Sequence, residues 1–341
     1  MKAFLKRKNI HLSAKTYLVD ALGSVAFGLF ATLLVGTILN SIGNVFDIPF
    51  LTDRLFPLAQ LSAGPAIAVA IALSLKADRL ILLAIPVVGL SAYESGGVIG
   101  VYLSSIIAIE LAKIISKETK LDIILTPAFT LLTGVLLGDF IGAPIGRMTQ
   151  SLGELIIHAT NLNPFLMGIL VSLLIGMALT MPISSAAICM MLGLNGLAAG
   201  AATVGCSSQM IGFAVISYKD NGLDGLLAQG LGTSMFQVGN ILKNPWIWLP
   251  PSLASVIIAP LATMVFKLEN SPLGAGMGTS GLVGQIATLS EMAPHSDLSS
   301  TLLAIALLHF ILPALISYIT YKILYKYRLI KDSDMKIDFS N

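Results

Sequence analysis

The chain has 341 residues, of which 55% are hydrophobic and 11% charged, with a mean hydropathy of +0.87. Soluble domains carry about 25% charged residues, so the polar surface of a water-soluble fold is missing and the chain reads as an all-α polytopic protein of the lipid bilayer. A net charge of +2 gives no basic excess of the kind nucleic acid requires, and no nucleic-acid partner is expected.

The basic N-terminus, Met1 to Lys8, leads into an apolar segment long enough to span, which reads as retained and not as a cleaved leader. A span needs about 20 mostly apolar residues. Taken in order, the first half offers spans at 18–42, 58–75, 80–93, 98–115 and 123–140. The Lys76-Ala-Asp-Arg79 turn, the Glu94-Ser-Gly-Gly97 break and the Lys117-Glu-Thr-Lys120 turn punctuate them. Residues 147–160 set Leu152, Leu155 and Ile156 against Gln150, Glu154 and His158, the pattern of an amphipathic interfacial connector. After Asn163-Pro164 come spans at 165–180, 186–216, 223–242, 246–266 and 302–325. The second of these is long and rich in small residues, and is expected to break near Asn195-Gly196 or Gly205.

Residues 27–39 resemble 167–179, and residues 61–66 resemble 197–202, at nearly equal offsets. The reading is therefore two five-helix repeats, 1–160 and 161–341. An odd number of spans per repeat inverts the second in the membrane, as in many transporters. Ten spans with both termini cytoplasmic put all the Lys and Arg inside except Arg54, Arg147, Lys219 and Lys267, as the positive-inside rule asks. The tail beyond Tyr325 is then a basic cytoplasmic tail.

The least helix-like stretch is Ser271 to Gln285, with five glycines around Gly278, Thr279, Ser280 and Gln285. Each interior Gly costs about 0.8–1 kcal/mol of helix propensity against Ala. Irregular backbone at membrane depth is tolerated where it is buried in protein or lines a wet cavity. The functional reading is a re-entrant hairpin (271–290) touching a polar solute; the plain alternatives are a surface loop or small-residue helix packing. Polar groups inside spans are costly and so are site candidates. Glu94 stands in the Gly-rich break of the first half. Gln209, Gln237 and Asn240 carry amides suited to a hydroxylated solute, and equally to ties between helices. Asp139 reads as an interfacial residue and His309, near Pro313, as a structural histidine. Trp246 and Trp248 read as an interfacial belt. Cys189 and Cys206 read as buried free thiols, and the four histidines lack ligand spacing, so neither metal nor cofactor is expected. No catalytic motif or soluble catalytic domain is visible, and no catalytic residue is assigned.

Pro182-Ile-Ser-Ser-Ala-Ala187, Gly193-Leu-Asn-Gly-Leu-Ala-Ala-Gly200 and above all Gly274-Ala-Gly-Met-Gly-Thr-Ser-Gly-Leu-Val-Gly-Gln285 resemble component IIC, the membrane subunit of bacterial phosphotransferase sugar permeases. Within it they look closest to a divergent branch of toxin-regulator-like (perfringolysin-regulator-like) membrane proteins. The resemblance runs from about residue 18 to 325. It implies a bacterial cell-membrane homodimer of ten-span protomers that moves a sugar by alternating access, with phosphorylation by separate IIB and IIA proteins. Two departures stand out. No IIA or IIB module is present to carry a phosphoryl group, and Glu94 is the nearest stand-in for the family's acidic sugar-binding motif. The alternative reading is a membrane-embedded solute sensor or regulator without net transport.

Overall fold

A computed structural model describes residues 2–294 and 296–338. The chain forms two compact units: the first holds residues up to Gly36 and Phe46–Thr149, the second Thr37–Val45 and Gln150 onward. Among the described residues, six helices are long and apolar enough to cross a membrane, or seven if one bent pair counts as a single span.

In the first unit, α1 (Lys15–Phe46), of which Thr37–Val45 belongs to the second unit, precedes the bent pair α2 (Phe50–Leu61) and α3 (Ala63–Ser74), which meet at 43°. The helix α4 (Arg79–Ile115) contains a reversal at Gly97, whose φ of 57° and ψ of −150° only glycine adopts without strain. A Cβ on Gly100 would lie 2.5 Å from the carbonyl oxygen of Ala92, so the chain doubles back there. The two expected spans at 80–93 and 98–115 are thus two arms joined at this break. In α5 (Asp122–Thr160), Gly138 and Gly142 lie against Ala92 and Ser95. Small residues permit such close backbone approach where lipid gives helices no hydrophobic reason to associate. The ends of the helices are tied by polar groups: wholly buried Lys113 donates to the carbonyls of Leu75 (2.6 Å) and Asn9 (3.1 Å), and Asp78 pairs with Lys117 and accepts from Ser116 Oγ.

The expected amphipathic connector is not a separate helix. It is the last part of α5, where Ile156 and Ala159 are buried among Ile188, Leu194 and Met167 of the second unit. Asn163 caps α6 (Pro164–Thr180), accepting from Leu166 N at 3.0 Å, with Pro164 pre-set for the first turn. The long small-residue stretch breaks where Asn195-Gly196 suggested. A short α7 (Ser185–Met191) stops before Gly193, and α8 (Gly196–Ile216) follows. Next, α9 (Tyr218–Leu227) turns sharply at Gly222 and is followed by irregular backbone to Gln237 and a short turn of helix to Lys243. Then come α10 (Pro245–Val265), α11 (Pro272–Ala275), α12 (Val283–Met292) and α13 (Leu298–Lys326). The centre of the unit is α8, largely buried, with Gly205 against the backbone of Ser172 on α6 and Gly212 against Pro251 on α10.

Candidate functional site

The glycine stretch folds as a hairpin of two short helices, α11 and α12, joined by a tight turn. Asn270 closes its base. Its Nδ2 lies within hydrogen-bond reach of Thr203 Oγ1 (2.7 Å), the Gly284 carbonyl (3.0 Å) and Thr288 Oγ1 (3.0 Å), while its Oδ1 accepts from Ser271 N. The broken helix α7 packs on the first arm, where Ser185 Oγ donates to the Gly276 carbonyl at 2.7 Å. At the turn Gly278 has φ +54°, and a Cβ there would stand 2.7 Å from the backbone of Cys206 on α8. No other residue fits, because both the left-handed conformation and the contact exclude a side chain. Leu282 is also left-handed, at φ +59°.

This turn places the predicted residues on α8 and α13. Thr279 is wholly buried, and its hydroxyl donates to the Gly230 carbonyl at 2.5 Å. Ser280 and Gln285 are buried beside it in sequence. Gln285 Nε2 lies 3.1 Å from His309 Nδ1 and 3.5 Å from Ser207 Oγ. With the amide nitrogen turned to Nδ1, that ring nitrogen accepts and the ring proton sits on Nε2. Among the described residues Gln285 Oε1, His309 Nε2, Ser280 Oγ and Ser208 Oγ are buried without a hydrogen-bond partner. A serine on a helix can turn its hydroxyl to its own backbone. Gln285 Oε1 and His309 Nε2 have no such recourse, so they form an unsatisfied acceptor and donor on two linked side chains. Leaving such groups dry and unpaired costs about 1–3 kcal/mol each.

His309 owes its place to a wide turn at Ala306–Ile311, next to Pro313. A proline ring clashes with the carbonyl four residues earlier, here that of His309, and the wider turn accommodates it. Such turns recur at functional sites. The expected structural histidine is thus only partly satisfied: among the described residues one ring nitrogen is paired and the other has no partner. A buried histidine four residues before a proline was the available signal.

The remaining predicted residues lie elsewhere. Gln209 is fully engaged: its Oε1 accepts from Thr180 Oγ1 (3.2 Å) and Trp248 Nε1 (3.0 Å), and its Nε2 donates to Ser252 Oγ (3.1 Å). Trp248 is thereby tied inward, whereas Trp246 is exposed as a belt residue would be. Gln237 and Asn240 hold the end of the chain: Gln237 Nε2 donates to the Met335 carbonyl (3.0 Å), and Asn240 Nδ2 to the Lys336 carbonyl (3.0 Å) and Gln237 Oε1 (2.9 Å). Glu94 is exposed on the first unit, at the reversal of α4.

Charge separates the two units. Every buried polar side chain of the second is a hydroxyl, an amide or His309, among the described residues; the buried Lys113 belongs to the first. A membrane unit built on broken helices, with an uncharged polar cluster at the hairpin, defines a helical membrane protein.

The family model described as Phosphotransferase system, EIIC, matches residues 19–337. The chain belongs to that family: it is a multi-pass plasma-membrane protein and the membrane subunit of a phosphotransferase-system sugar permease, a system in which separate IIA and IIB proteins supply the phosphoryl group. Neither a curated protein nor a solved structure matches the chain.

Proposed function

We propose that the hairpin cluster binds the transported sugar, with Gln285 Oε1 and His309 Nε2 bonding its hydroxyls, Ser207 beside Gln285 and Ser280 at the hairpin turn. The observation that carries this reading is the unsatisfied acceptor and donor on the Gln285–His309 pair. A hydroxyl both donates and accepts, so the hydroxyls of a sugar can complete both. The uncharged surroundings favour a free sugar over a sugar phosphate, because an anion buried there would have no cation to pair with. Phosphorylation, by a separate IIB protein, then follows binding or translocation.

We infer ten crossings in two inverted repeats, both termini cytoplasmic, with alternating access around the hairpin. The reversal of α4 at Gly97 supports counting that helix twice, and the 17-residue apolar α6 and the broken segment after Gly222 supply the further spans. The sequence likeness of 27–39 to 167–179 supports the repeat. A homodimer completes the arrangement that the resemblance implies. Within this reading Gly278 and Thr279 shape the site, whereas Gln209, Gln237 and Asn240 are ties between elements.

The test is uptake of a labelled panel of hexoses, hexitols and disaccharides by proteoliposomes, with and without phosphorylated IIB. Wild type takes up at least one sugar; Gln285→Leu and His309→Ala lower that uptake at least about tenfold, the weight of one to two hydrogen bonds. Full uptake by both variants contradicts the assignment. Glu94→Ala, run beside them, shows whether the break in the first unit shares in the site.

A further inference from the structure

The end of the chain is not a free basic tail. After α13, Ile330 and Met335 are buried to 1% exposure and Ile337 to 8%, while Lys331, Asp332 and Lys336 face outward. Amides from three elements hold its backbone. The Met335 carbonyl accepts from Asn221 Nδ2 (2.8 Å) and Gln237 Nε2 (3.0 Å), Ile337 N donates to Asn221 Oδ1 (2.7 Å), and Asn244 Nδ2 donates to the Leu329 carbonyl (2.9 Å).

The same amides lead inward. Gln237 Nε2 also donates to Gln229 Oε1 at 2.9 Å, and Gln229 Nε2 donates to Ser217 Oγ and the Gly225 carbonyl. The next residue, Gly230, carries the carbonyl that accepts the Thr279 hydroxyl of the hairpin. Between them the backbone passes from a wide turn at Ala228–Gly232, through extended Thr233, to a tight turn at Ser234–Gln237. Such backbone lacks a regular helical ladder of its own, so its partners set its position. Among those partners are α8, the Thr180–Ser234 hydroxyl pair, the hairpin and the tail.

We propose that residues 328–338 are a positioning element for the glycine hairpin, acting through Gln237, Gln229 and Gly230 upon Thr279. Tail and hairpin then share one equilibrium, and by linkage whatever shifts one shifts the other to the same extent. The part of the proposal that concerns sugar rests on the reading of the hairpin given above.

The test places a thiol in the tail by Met335→Cys and follows its labelling by a soluble maleimide; Cys189 and Cys206 are wholly buried and stay silent. Thr279→Val, which removes only the far end of the strut, speeds labelling about fivefold, the weight of about one hydrogen bond. Gln237→Leu, which cuts it at the tail, speeds it more. Thr263→Val removes a hydroxyl bonded to the Pro164 carbonyl, off the strut, and leaves the rate unchanged. A parental rate in Thr279→Val, or equal acceleration by Thr263→Val, overturns the proposal. Because Met335→Cys alters a packed residue, hydrogen exchange at the Met335 and Ile337 amides of the unsubstituted tail provides a second reading of the same comparison. Saturating sugar slows labelling in the parent. Acceleration by Thr279→Val without any effect of sugar supports the strut and contradicts the hairpin as the sugar site.

Discussion

Two buried polar clusters of the second unit are built from the same side-chain types and end in opposite states. Around the tail, Asn221, Gln229, Gln237, Asn240 and Asn244 find partners for their buried amide atoms among the described residues. Around the hairpin, Gln285 and His309 bond each other and leave an acceptor and a donor over. Gln229 and Gln237 are as buried as Gln285 and His309, so burial alone does not separate a tie from a binding group. The difference lies in the hydrogen-bond account: a closed cluster holds the fold together, and an open one is suited to a solute that closes it.

The largest effect is expected from breaking the geometry that brings the open cluster into being. Gly278→Ala forces a side chain into the left-handed region, at about 1–2 kcal/mol, and onto the Cys206 backbone besides. The expected loss is roughly 3 kcal/mol or more, read as a fall in thermal stability in detergent together with loss of sugar binding. Next comes the closed cluster. Gln237→Leu takes a partner from Gln229, Asn240 and Met335 together, and a destabilisation of about 2–3 kcal/mol follows, measured by thermal unfolding. Gln285→Leu sharpens the contrast. It removes an acceptor left unpaired among the described residues together with the donor to His309 Nδ1, so stability falls by about 1–2 kcal/mol, while sugar affinity falls about tenfold or more in an equilibrium binding assay.

The smallest effect concerns an exposed tie of the tail. Lys219 beside Asp332, at 2.7 Å, holds that carboxyl below the usual carboxylate range. A depressed carboxyl stabilises the fold above its unfolded value, about 3.9, and the contribution is lost as pH falls through the still lower folded value. The gap in melting temperature between wild type and Asp332→Asn is therefore small at pH 7 and closes below about pH 4.

Composition and hydropathy sufficed for the helical membrane class, because lipid leaves so few alternatives. The breaks at Gly97 and Gly193–Gly196, and the irregular stretch around Gly278, were also legible, since glycine marks where the backbone departs from a helix. What the sequence could not show is which amides face which partner. Gln237 and Gln285 look alike in an apolar stretch, yet one meets the Met335 carbonyl, 98 residues away, and the other His309. The tail looked like a solvated basic end because its charges outnumber Ile330, Met335 and Ile337. Those three apolar residues among charges were the sign that one side of it is covered. The partners of His309 depend on a pairing between the hairpin and α13, and no spacing along the chain encodes it.

The most direct test compares one residue from each cluster under the same ligand. Thermal unfolding is followed for wild type, Gln285→Leu and Gln237→Leu, each with and without a saturating amount of the sugar that the uptake panel identifies. A ligand that binds only the folded state raises the melting temperature by an amount that grows with the logarithm of its concentration relative to Kd. The account predicts that the sugar-induced rise is markedly smaller in Gln285→Leu and persists in full, from a lower starting temperature, in Gln237→Leu. A full rise in Gln285→Leu would contradict it.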